Sequence, residues 1–296
     1  MFPVLFSIGN IPVSSFGVFL ALGFLFGVFL IWRLSRAWDL NEEHVLDLTL
    51  LTFFGGLLGS RLYFVLGHPG LFAENYLKIL FINKVAGFSF RGAILGGWLT
   101  LFFIARFKKM DFAKIGDIAS VGFIASYIFA DLGCFLGGCN VGIQSNFFAV
   151  NMVGFLGKRF PTQLLEAVLL VFVMFSLWST AIHFHTRGKI LSLSLIYVGF
   201  IKFLMEPLKQ NHDEGSILSL VLLILGVTFL YKVTKRNPLT DLKSLLAFVS
   251  KLITDQATRQ ATLVGLKKYW YNKKTSISWK IRNLRKNLRR FNVRVS

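Results

Sequence analysis

Seven stretches of this sequence are each apolar enough and long enough to cross about 30 Å of hydrocarbon as helix, and that recurrence confines the chain to one class of fold. They run 12–32, 45–66, 92–105, 115–136, 163–183, 190–207 and 215–233, the short third one being expected to begin earlier, around Phe88. Inside lipid every backbone polar group has to find its partner within the protein, so segments of this length read as helices. A mean hydropathy of +0.62 and 54% hydrophobic residues exclude an ordinary soluble domain. The expected fold is an all-α membrane protein of seven transmembrane helices with a small outer-face segment, in two parts, a membrane domain over 1–233 and a basic amphipathic tail over 234–296. Residues 1–10 lack a basic stretch ahead of the first apolar run, so that run reads as a span and not as a cleaved signal.

Lys and Arg gather in loops that stay cytoplasmic. Arg33 and Arg36 follow the first span, Arg106, Lys108, Lys109 and Lys114 the third, and Arg187 and Lys189 the fifth. This pattern predicts an outer N-terminus and a cytoplasmic C-terminus. Beyond Tyr231 the composition changes: Lys232 to Ser296 holds 17 Lys and Arg against two Asp, most of the chain's net charge of +19. In that tail Ile277, Ile281, Leu284, Leu288 and Phe291 recur at helical spacing beside Trp279, and Leu242, Leu245, Leu246, Val249, Leu252 and Ile253 form an earlier stripe. Such faces between basic residues suit helices lying on an anionic membrane surface, and nucleic acid is not the expected partner. A solvated basic tail with incidental hydrophobics is the plainer alternative.

A charge in hydrocarbon costs about 2.5–3.5 kcal/mol on insertion scales, so charges inside spans carry information. With the predicted topology, Arg61, Arg91, Asp131, Glu166, Lys202 and Glu206 all fall in the outward half, with Gln163 beside Glu166. Two readings stay open: the charges neutralise one another and do nothing more, or they line a polar chamber open to the outer leaflet. Gly55 with Gly59, Gly92 with Gly96, and Gly133 with Gly137 are small-xxx-small pairs near the same residues, which suits close helix packing or close approach of a lipid headgroup.

In sequence order, SIGNIPVSSFG (7–17), FFGGLLGSRLYFVL (53–66), FSFRGAILGG (88–97), DLGCFLGGCNVG (131–142), RFPTQLLEAVLL (159–170) and YVGFIKFLMEPLKQNHD (197–213) resemble the landmark segments of the prolipoprotein diacylglyceryl transferases. The resemblance covers about residues 5–233 and leaves the tail out. It implies seven spans in a bacterial cell membrane, with phosphatidylglycerol and the lipobox cysteine of a prelipoprotein as substrates. The diacylglyceryl group would pass to the cysteine sulfur as a thioether and glycerol phosphate would leave. No cofactor or metal is implied. Such a reaction needs a cation at the phosphodiester and help for a thiol that is mostly protonated at neutral pH.

The chain departs from the family at telling positions. Asp131 stands where the family has a headgroup-binding arginine, Arg91 where it has a histidine, Lys202 where it has an arginine, Phe160 where it has a histidine and Cys134 where it has an asparagine. On this reading charges have been exchanged: Arg91 faces the phosphate, and Asp131 pairs with Arg91 or accepts the thiol proton. The expected catalytic set is Arg91, Asp131, Lys202 and Glu166, and the expected lipid-binding set is Arg61, Gly133, Gly138, Asn140, Gly142, Gln163, Glu206 and Lys209. The alternative is a non-catalytic or altered-specificity lipid-binding protein of the same fold. Cys134 and Cys139 read as small packing residues, a disulfide in an oxidising exterior being the other possibility. His68 and His212 lie near the outer surface but match no family position.

Overall fold

In a computed structural model, residues 2–9, 11–73, 79, 87–152, 155–210 and 216–295 are described. The chain divides into two compact units, Met1–Lys235 and Arg236–Ser296.

The first unit opens with a hairpin, β1 (Val4–Ile8) and β2 (Ile11–Ser14), paired antiparallel from Val4 opposite Ser14 to Ile8 opposite Ile11. Among the described residues seven α-helices follow: α1 (Ser15–Ala37), α2 (Glu42–Gly67), α3 (Phe90–Phe107), α4 (Phe112–Gly137), α5 (Thr162–Ala181), α6 (Lys189–Met205) and α7 (Ser216–Thr234). All seven lie in segments long and apolar enough to cross a membrane. The first begins three residues later than hydropathy predicts, because residues 12–14 are strand and the Ser14 side chain caps α1 by accepting from the Gly17 amide at 3.1 Å. As expected, α3 starts ahead of residue 92, at Phe90, with Ser89 in the N-cap position.

The central helix is α4, which packs on α1 and α5 and also meets α6; α2 pairs with α3, and α6 with α7. Glycines set the closest crossings. A Cβ placed on Gly59 would stand 2.7 Å from the Gly96 Cα and 2.6 Å from the Gly92 carbonyl, so the two predicted glycine pairs of α2 and α3 face each other directly. Gly133 lies against Phe19 of α1. These glycines serve backbone approach between helices.

At the end of the bundle where α3, α5 and the following loops carry their basic residues, Asp117 of α4 is wholly buried. It accepts the Gly188 and Leu191 amides at 2.7 Å each, which holds the start of α6, whose free N–H groups need partners, against α4. His185 stands 3.8 Å from the same carboxylate and its ring lies on Trp38, 5.0 Å between centroids. Hydropathy gives no sign of this staple.

The second unit is two helices, α8 (Pro238–Thr254) and α9 (Gln256–Val295). Asp255 joins them, accepting from the Ala257 amide and the Thr258 hydroxyl. Leu263, Leu266, Trp270 and Trp279 of α9 are exposed. Apart from Leu252 and Trp279, the side chains of the two predicted stripes lie outside the described residues.

Candidate functional site

Successive helices alternate in direction, which brings the end of α2, the start of α3, the end of α4, the start of α5 and the end of α6 to one end of the bundle. Local periodicity then selects the faces. Tyr127 and Asp131 are one turn apart on α4, Gln163 and Glu166 nearly one turn apart on α5, and Lys202 lies in the last turn of α6, one turn before Glu206.

Glu166 is the hub. It is 3% exposed, with the Lys202 ammonium 2.5 Å from Oε1 and the Lys209 ammonium 3.7 Å from Oε2. The Tyr127 hydroxyl donates to Oε1 at 2.6 Å. Lys202 sits over the rings of Phe90 and Tyr127, 4.7 and 4.9 Å from their centroids, and those two rings stack on each other. A cation held this way is confined by one carboxylate and two π-faces. Burial, and next to it the Lys202 charge, holds the Lys209 ammonium below the usual lysine range. Glu206, 6% exposed, completes the set at the 3-10 turn Glu206–Leu208.

Asp131 is 4% exposed and has Glu166, Lys202 and Lys209 as its charged neighbours. Its Oδ2 has no hydrogen-bond partner among the described residues. The expected pairing with Arg91 is not what the structure forms: among the described residues no ion pair joins them. The reason lies in packing, since α3 lies chiefly along α2 whereas the Asp131 face of α4 turns toward α5 and α6. Arg91 is half-buried in the first turn of α3. Arg61 is buried too, but its guanidinium donates to the Ile79 and Gly87 carbonyls at 3.0 Å each and so supports the chain leading into α3.

After α4 the chain turns back on itself. Gly138 caps the helix with φ +81°, Asn140 follows with φ +53°, and the turn brings the Cα atoms of Cys134 and Cys139 to 5.1 Å, where the two are joined by a disulfide. The reading of these cysteines as mere packing residues is thereby corrected; it overlooked how a left-handed cap folds residue 139 back over residue 134. Gln163, 2% exposed, donates its amide to the Cys139 and Asn140 carbonyls, so it clamps this turn. Residues 141–145 then lie between two neighbours. Ile143 and Gln210 exchange bonds with Leu208 and Val141, and on the other side Phe160 and Ser145 bond to Ile143 and Lys158. A Cβ at Gly142 would collide with the Phe160 carbonyl, so only glycine admits this approach. Beyond it, β3 (Val150–Asn151) pairs with β4 (Lys158–Arg159).

Three residues of this region were not singled out from sequence. Tyr127 and Phe90 read as ordinary apolar span residues, and only the i to i+4 spacing of Tyr127 to Asp131 points to the first. Arg159 sits in the quoted RFPTQ segment but outside any span.

A sequence model of the family described as prolipoprotein diacylglyceryl transferase matches residues 3–232. Among named relatives, the phosphatidylglycerol–prolipoprotein diacylglyceryl transferase of Clostridium tetani is 25% identical over 77% of this chain and 96% of its own. Transferase 1 of that name from Clostridium perfringens is 28% identical over 80% and 96%, and the protein from Geobacter sulfurreducens 27% identical over 79% and 96%.

Proposed function

The chain belongs to the prolipoprotein diacylglyceryl transferase family, and on that premise we propose that it moves the diacylglyceryl group of phosphatidylglycerol onto the lipobox cysteine of a prelipoprotein. The observation that carries this reading is the buried Glu166–Lys202–Lys209 cluster with the orphan oxygen of Asp131 beside it. The thiol proton passes to Asp131. The sulfur attacks the glycerol carbon that bears the phosphate, the carbon–oxygen bond breaks, and the oxygen departs with the electron pair as glycerol phosphate. Arg91, Lys202 and Lys209 hold that phosphate as its charge grows, and Glu166 with Tyr127 fixes the two ammonium groups in place. Lysine replaces an arginine here as a point charge without the bidentate fork. Complementation of a bacterial strain depleted of its own transferase tests the reading. Growth and lipoproteins heavier by a diacylglyceryl group are expected. Protein that inserts normally but leaves unmodified prelipoprotein fits the non-catalytic alternative.

The site end of the bundle is proposed to face outward in a bacterial cell membrane, because Arg33, Arg36, Arg106, Lys108, Lys109, Lys114, Arg187 and Lys189 gather at the other end. A disulfide there suits an oxidising exterior. Cysteines introduced at positions 2 and 296 should label from opposite sides, the first from outside; labelling of both from one side contradicts the topology.

The tail is proposed to lie on an anionic leaflet. Its 16 basic residues and the exposed Leu263, Leu266, Trp270 and Trp279 support that placement. A peptide of residues 276–296 should gain helicity on anionic vesicles, little on neutral ones, and lose binding with salt. Equal binding to both vesicle types rules out the electrostatic part.

A further inference from the structure

The buried cluster does not by itself favour an anion. Asp131, Glu166 and Glu206 set three carboxylates against the two ammonium groups of Lys202 and Lys209. A phosphodiester brings a further negative charge, and the departing phosphate monoester carries toward two. Besides Arg91, further positive charge would favour that anion.

Arg159 supplies it. This half-buried arginine forms no ion pair with any carboxylate among the described residues. Its Nη1 donates to the Gln210 Oε1 at 3.1 Å and weakly to the Gly142 carbonyl at 3.5 Å, both neutral acceptors. Its Nε is buried without a hydrogen-bond partner among the described residues, and Phe155 lies 5.3 Å from the guanidinium carbon. Position follows from register. Arg159 bridges Gln144 while Lys209 bridges Gly142, and residues two apart on a strand share a face. Arg159 and Lys209 therefore flank Gly142 on one side of this small sheet, with no side chain between them at residue 142.

We propose that Arg159 is the second cation of an anion subsite shared with Lys209, and that it binds the glycerol phosphate moiety, as lipid headgroup or as leaving group. This rests on the transferase reading for its ligand, but the subsite itself is tested by binding. A guanidinium whose hydrogen-bond partners among the described residues are neutral, and whose buried Nε has none there, is poised to add a charge-assisted bond to a phosphate oxygen, which Lys in its place makes only as a point charge.

The full-length chain in detergent is treated with an arginine-selective dicarbonyl, and modification of Arg159 is followed by peptide mass mapping. Phosphatidylglycerol, glycerol 1-phosphate and inorganic phosphate are each added, with diacylglycerol as the uncharged control. Slower modification with a phosphate-bearing compound and none with diacylglycerol is expected. Protection by the lipid alone identifies the headgroup as ligand, and protection by the free phosphates identifies the leaving group. No protection by any of the three overturns the proposal. In parallel, Arg159→Gln should bind the protecting compound at least about tenfold more weakly with an unchanged melting temperature, and Arg159→Lys should recover part of the loss. Equal affinity in wild type and Arg159→Gln overturns it as well. Protection without any diacylglyceryl transfer would remove the transferase reading and leave the subsite standing.

Discussion

Glu166→Ala is expected to cost about 3–5 kcal/mol of stability, the range found when one partner of a buried ion pair is removed. The carboxylate is 3% exposed and answers the Lys202 ammonium, the Lys209 ammonium and the Tyr127 hydroxyl together. Without it the Lys202 ammonium loses the carboxylate it touches, and one buried hydroxyl loses its acceptor. The double change Glu166→Ala with Lys202→Met should recover much of the loss, because the second substitution removes the stranded charge and keeps an apolar side chain against Phe90 and Tyr127. Thermal unfolding in one detergent, read across the four members of the cycle, checks this. Additive losses would mean that the two side chains do not interact, and the hub assigned to Glu166 would be wrong.

Lys202→Met alone is expected to leave the chain folded and to lower transfer by about 10²–10³, the usual effect of removing one group that stabilises developing negative charge. The side chain keeps its length and its apolar contacts, and only the ammonium is lost. Lys202→Arg should retain part of the activity, since the charge stays while the fork fits poorly against the two stacked rings and Glu166 together. Initial rates on a lipobox peptide with phosphatidylglycerol vesicles separate the variants. A Lys202→Met rate within a few-fold of wild type would move the phosphate-holding role to the arginines.

What could be read from sequence follows from how strongly the solvent constrains the chain. A bilayer demands apolar segments of a set length, so the seven helices stand where hydropathy predicts them. The start of α1 escapes because a local device, the Ser14 cap after a short strand, decides it. That the charged residues gather at one end is legible too, since it needs only the alternation of direction. Which charge meets which is not. Pairing depends on the rotation of each helix and on its choice of neighbour, and these are set by glycine crossings such as Gly59 on Gly96 and Gly133 on Phe19. Asp131 accordingly faces the Glu166–Lys202–Lys209 group where the exchanged-charge pattern suggests Arg91. Tyr127 is hidden for a related reason: within an apolar run its hydroxyl is a single polar atom without a periodic signal. The Cys134–Cys139 bond depends on the left-handed turn at Gly138, which residue spacing alone does not report.

The most direct test of the central claim is transfer by the purified chain in vesicles. Phosphatidylglycerol labelled in its acyl chains is supplied with a lipobox peptide, and the peptide is weighed by mass spectrometry. Wild type should add one diacylglyceryl group to the cysteine sulfur and release glycerol phosphate in equal amount, with both products nearly absent from Lys202→Met. A folded wild-type chain that leaves the peptide mass unchanged at full phosphatidylglycerol occupancy would contradict the assignment of this buried cluster as a transferase site.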